Sequence, residues 1–150
     1  KAFNLAGLRW AVLHAGHAPM HDALSALPGH YLGATNVMAA VATAAAWTGG
    51  DDWLRAVIGV LDENRRALQL LLDEHLPGAS MRPLDATYLA WIDCTALGLG
   101  DDPALAFRER GVEVSPGPQF SPLGHGDGHI RLNLATSPAI LAAMVRAMAG

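Results

Sequence analysis

At 150 residues, with 51% apolar and only 16% charged residues, the chain is long enough and apolar enough to build a core, which excludes a disordered chain. The formal net charge of −4 and the scatter of the 10 Lys and Arg residues argue against nucleic-acid binding by phosphate neutralisation. Cys94, the single cysteine, excludes an internal disulfide and a cysteine-only metal site, and it fits reducing, cytoplasmic surroundings.

The predicted elements run as follows. Arg9 to His14 is apolar on successive positions and predicts a strand covered on both faces. Pro19 to Leu27 predicts a short helix closed by Pro28-Gly29. Thr35-Asn36 offers an N-cap to an alanine-rich helix reaching Trp47, ended by Gly49-Gly50. Its apolar run, Val37 to Trp47, is too short to cross a bilayer, so no membrane span is expected, and no secretory leader is visible. Asp51-Asp52 opens the longest helix, to about Leu76, with Leu54, Val57, Ile58, Leu61, Leu68, Leu71, Leu72 and Leu76 at helical spacing.

Beyond Pro77 the pattern changes to short strands, predicted at Met81–Leu84 and Thr87–Asp93 with a turn near Asp85. Asp101-Asp102-Pro103 starts a helix to Arg110, stopped by Gly111, and Val112–Val114 alternates as a short strand. Ser115 to Gly128 holds too many prolines and glycines for regular structure, and Gly124–Gly128 reads as a flexible turn. Ile130–Leu134 alternates as a strand that would present Arg131 to a cleft. Ser137-Pro138 opens the last, amphipathic helix. The domain boundary is expected inside the long helix, giving residues 1–60 and 61–150.

The histidines His14, His17 and His21, and the pair His125 and His129, invite a metal reading. Gly16 and Pro19 break any common helical face, so these read as surface-loop histidines and no metal site is expected.

Four ordered stretches carry a family resemblance. The opening Lys1-Ala-Phe-Asn-Leu-Ala-Gly-Leu-Arg-Trp-Ala11 resembles the active-site signature of the pyridoxal-phosphate (PLP) enzymes of aminotransferase classes I and II, departing from it at Trp10. Ala86-Thr-Tyr-Leu-Ala-Trp-Ile-Asp93 resembles the corresponding strand of MalY/PatB-type cystathionine β-lyases. Val114-Ser-Pro-Gly117 through Phe120 resembles their glycine-rich active-site loop, and Ile130-Arg-Leu-Asn-Leu-Ala-Thr-Ser137 their "RLN" strand.

The resemblance implies an α/β protein of the PLP-dependent transferase-like fold (fold type I), comprising the C-terminal part of the large domain plus a small α+β C-terminal domain. It implies that Lys1 forms the Schiff base with PLP and, once released by substrate, acts as general base at Cα. By the same resemblance Arg9 holds the cofactor phosphate, Arg131 grips the substrate α-carboxylate, and Tyr88 lines the pocket unless it is a packing residue. Pro116, Gly117 and Phe120 would either shape the pocket rim or serve as rigid turn residues without ligand contact. The implied activity is a carbon–sulfur β-lyase giving pyruvate, ammonia and a thiol from cysteine conjugates. The alternatives are an aminotransferase on the same scaffold, or a structural and dimerisation piece that is inactive as it stands. A cytoplasmic homodimer acting on a small amino-acid substrate is expected. The start at Lys1 rather than Met suggests the C-terminal part of a longer protein, whose isolated 150 residues would bind PLP poorly.

Overall fold

The computed structural model describes residues 2–31, 33–121, 123 and 125–150, and the chain divides into two units, residues 1–57 and 58–150.

The first unit is helical. Helix α1 spans Ala18–Ser25, with Pro19 in the first turn where its missing N–H costs no hydrogen bond. Helix α2 spans Val37–Gly49, and its start is decided locally. Asn36 caps it, its Oδ1 accepting from the Met38 and Ala39 N–H groups at 3.0 and 3.3 Å. Helix α3, Asp51–His75, begins directly after Gly50 and supplies its first two turns to this unit. A Cβ on Gly50 would fall 2.6 Å from the Phe3 ring, and Phe3 in turn stacks on Trp53 at 6.2 Å.

The expected strand over Arg9–His14 is absent; these residues are irregular. A strand requires a neighbour to take its backbone N–H and C=O groups, and the described residues of this unit offer no extended partner. Burial in the unit is correspondingly thin. Ala39 alone is buried among its described residues, while Val37, Met38, Val41 and Trp47 are each more than 60% exposed.

The second unit is a four-stranded antiparallel sheet covered on one face by helices. The strands are β1 (Ser80–Met81), β2 (Leu89–Asp93), β3 (Ser115–Pro116) and β4 (His129–Asn133), in the order β1-β2-β4-β3. Helices α4 (Pro103–Glu109) and α5 (Pro138–Ala149) join the rest of α3 on the covered face. Period-two alternation turns Ala90 and Ile92 of β2 and Ile130 and Leu132 of β4 inward, onto Leu68 and Leu72 of α3, Phe107 of α4, and Leu141, Val145 and Met148 of α5. Among the described residues Asn64 is the one buried polar side chain; its amide donates to the Leu134 and Thr136 carbonyls at 2.9 and 2.7 Å, tying α3 to the segment after β4. Asp102 and Ser137 cap α4 and α5 as their sequence positions predict.

Three strand expectations are corrected. Met81–Leu84 contributes only Met81, in β1 with Ser80, because Pro83 has no N–H for a ladder. Thr87 takes a left-handed φ of 70°, so β2 starts at Leu89 rather than Thr87. Val112 and Val114 are buried and Glu113 exposed, as alternation requires, yet the ladder forms at Ser115–Pro116, where β4 is in reach. Among the described residues no helix is long and apolar enough to cross a membrane.

Candidate active site

The open face of the sheet carries the chemistry-bearing side chains. Register places Trp91 opposite Arg131 and Arg131 opposite Ser115, with Asp93 opposite His129. All five therefore stand on the face that the helices leave uncovered.

Arg131 is half-buried there. Its guanidinium carbon lies 3.9 Å from the centroid of the Phe120 ring, and one Nη2–H reaches the Ser115 Oγ at 3.4 Å. Among the described residues no carboxylate comes within ion-pair distance of it. A half-buried cation with neither a counter-ion nor a full set of acceptors is poised for a planar anion that presents two oxygens.

The loop between β3 and β4 brings Phe120 to this place. Gly117 is buried, and a Cβ there would sit 2.2 Å from the Gly126 carbonyl oxygen and 2.7 Å from that of His129. Gly126 meets Gly117 just as closely, and Gly128, at φ 70°, accepts the Cys94 N–H and donates to Asp101 at 2.8 Å each. The segment read as a flexible turn is therefore packed backbone on backbone over Gly126–Gly128; Gly124 lies outside the described residues. Gly117→Ala is expected to destabilise by about 1–3 kcal/mol. Gly59→Ala, in an exposed helical position with open space around it, is expected to be neutral or mildly stabilising. Chemical unfolding of the two variants checks the contrast; equal stabilities would contradict the close packing.

His129 is not a surface-loop histidine. Its ring stacks on Trp91 at 5.5 Å and 22°, and its side chain is 22% exposed. Its Nδ1 lies 2.7 Å from the Asp127 carbonyl, which can only accept, so Nδ1 carries a proton and Nε2 faces Asp93 at 3.9 Å. The Asp93 carboxylate accepts from the Thr95 hydroxyl at 2.7 Å and the Thr95 N–H at 2.9 Å. These bonds hold its pKa below the ordinary value of 3.8, partly opposed by desolvation and helped by His129. A lowered folded-state pKa adds stability above the unfolded-state value and loses it as pH falls through the folded-state value. Acid unfolding below about pH 4 is thus expected to be shallower in Asp93→Asn, and an unchanged acid limb would contradict this. The neighbouring Cys94 thiol is raised to about 12 by burial and then by the Asp93 charge, which makes it inert.

The other expected site residues fall as follows. Lys1 lies outside the described residues. Arg9 belongs to the first unit, exposed at the end of a 3-10 turn over Ala6–Leu8, with a left-handed φ of 50°. Asn4 is left-handed as well, at 54°. Tyr88, just before β2, packs against the core cluster, and its carbonyl accepts the Leu134 N–H at 2.9 Å. Trp91 and His129, which sequence reasoning left out of the site, are the residues that join Arg131 and Phe120. Only the strand register reveals them.

Architecture and site together define a class: a small α+β lobe bearing an arginine with no ion-pair partner among the described residues, preceded by a lysine-to-arginine signature. The family model for aminotransferase class I and II matches residues 1–148, and the chain belongs to that family. A candidate cystathionine β-lyase of Mycobacterium tuberculosis is 38% identical over 166 residues, covering 99% of this chain and 40% of that protein. Cystathionine β-lyase PatB of Bacillus subtilis is 33% identical over 144 residues, covering 94% and 37%. The solved structure of a candidate PLP-dependent β-cystathionase of Corynebacterium diphtheriae superposes with a TM-score of 0.92 at 30% identity, over 99% of this chain and 39% of that one. The fold is that of the PLP-dependent aminotransferases. The chain spans about 40% of the length of the curated relatives it matches.

Proposed function

We propose that the chain is the C-terminal part of a PLP-dependent carbon–sulfur β-lyase acting on cystathionine or a related cysteine conjugate. The observation that carries this reading is Arg131, a half-buried guanidinium lying on an aromatic ring, with no carboxylate in ion-pair reach among the described residues. An amino-acid α-carboxylate supplies the two coplanar oxygens that such a group lacks. The names of the relatives support the lyase over other family chemistries.

The residues fit the cofactor's needs. Arg9 presents an exposed cation suited to a phosphate, on a backbone conformation that non-glycine residues hold only at a cost. Bound PLP supplies the electron sink that makes a Cα proton removable. Lys1 Nζ takes that proton as general base, and Arg131 fixes the substrate so that its Cα–H bond faces the base. We assign Tyr88 to packing rather than substrate contact, given its place against the core.

Residues 1–57 read as part of the large PLP-binding domain and residues 58–150 as the small C-terminal domain. The exposed Val37, Met38, Val41 and Trp47 of α2 give the first unit an apolar surface suited to burial against the remainder of such an enzyme. The working form in this reading is a cytoplasmic homodimer.

The test is the fate of cystathionine in the full-length enzyme. Pyruvate and a free thiol without added keto acid are the expected products. Strict dependence on a keto acid acceptor would replace the lyase with an aminotransferase.

A further inference from the structure

Arg131 does not stand alone on the open face. Phe120 lies under its guanidinium, with the ring centroid 3.9 Å from the central carbon. Trp91 meets Phe120 edge-on, at 6.2 Å and 81°, and His129 covers Trp91 in a stack at 5.5 Å and 22°. Four side chains thus form one continuous row, His129–Trp91–Phe120–Arg131. His129, Trp91 and Arg131 rise from the paired central strands β2 and β4, and Phe120 comes from the Gly117-anchored turn.

We propose that Phe120, braced by Trp91, is the positioning residue that sets the plane of the Arg131 guanidinium for carboxylate binding. The geometry separates two demands on one cation. A ring beneath the guanidinium attracts its charge through the face and spends no N–H. The N–H groups radiate in the plane and stay available at the edge where a carboxylate binds with two parallel bonds. An acidic residue in the same place would also hold the arginine, but it would occupy that edge and neutralise the charge. Ser115 at 3.4 Å draws on no more than one of the five N–H groups. The inference rests on the reading of Arg131 as the α-carboxylate anchor.

The experiment uses the full-length enzyme with L-alanine and L-alaninamide as probes, which differ only in the carboxylate, together with cystathionine turnover. Phe120 is 43% exposed, so its replacement leaves the core intact. Phe120→Leu is expected to raise the Kd of L-alanine and the KM of cystathionine about 3- to 10-fold. The change in kcat should be smaller, and the Kd of L-alaninamide should not move. Phe120→Tyr, which keeps the ring, should preserve all of these values. Equal weakening of both probes would overturn the proposal in favour of a general structural role. Unchanged L-alanine binding in Phe120→Leu, alongside a loss in Arg131→Gln, would overturn the platform and leave the carboxylate anchor standing. Unchanged L-alanine binding in Arg131→Gln would remove the anchor and the platform together.

Discussion

Arg131→Gln in the full-length enzyme is expected to lower kcat/KM for cystathionine on the order of 10²- to 10³-fold. Two charge-assisted hydrogen bonds to a carboxylate contribute about 3–4 kcal/mol together, and each 1.4 kcal/mol is about tenfold. Glutamine keeps roughly the length of the stem while removing both the charge and the paired donors. Arg131→Lys should fall between the two, because an ammonium restores charge but neither the planar fork nor the face-on contact with Phe120. The loss should be confined to substrates that carry the carboxylate. A steady-state comparison of the acid and its amide reads this directly, and an equal loss on both would point to damage elsewhere in the lobe.

Lys1→Ala should have the larger effect on turnover, roughly 10³-fold or more, since it removes the proposed general base together with the amine that holds the cofactor. Two signals should disappear together in the full-length enzyme: pyruvate formation, and the near-visible absorbance of lysine-bound PLP. Persistence of that absorbance in the variant would mean that another lysine holds the cofactor. Lys1 is the only lysine of this chain, so such a residue would have to come from elsewhere in the enzyme.

The contrast between what could be read early and what could not follows the range of the forces involved. Asn36, Asp102-Pro103 and Ser137-Pro138 mark helix starts correctly, because a cap is a contact between residues two or three apart. The long amphipathic α3 was legible for the same reason. Strands are different. Arg9–His14 has strand composition but no extended partner among the described residues of its unit, and Val112–Val114 has strand alternation while the ladder forms just after it, at Ser115–Pro116.

The site was half legible. Arg131 stood out because a charged residue alternates there with Ile130 and Leu132, both of which proved fully buried. Tyr88 shares its parity with Ala90 and Ile92, which carries it toward the core. Its position relative to Arg131 could be judged only once the pairing of β2 with β4 was known. The same register brings Trp91 beside Arg131 and His129 beside Asp93 across 40 and 36 residues of chain, distances over which no spacing rule operates. Gly117 and Gly126 were legible as turn-formers; their mutual packing, which fixes where Phe120 sits, depends on contacts that no local pattern encodes.

The most direct test of the central claim is a crystal structure of the full-length PLP-loaded enzyme with a bound amino-acid ligand. The substrate-anchor role predicts two parallel Arg131 N–H bonds to the ligand carboxylate at about 2.8 Å, with the Phe120 ring still lying under the guanidinium. A carboxylate held by other groups, with Arg131 turned to solvent, would contradict it.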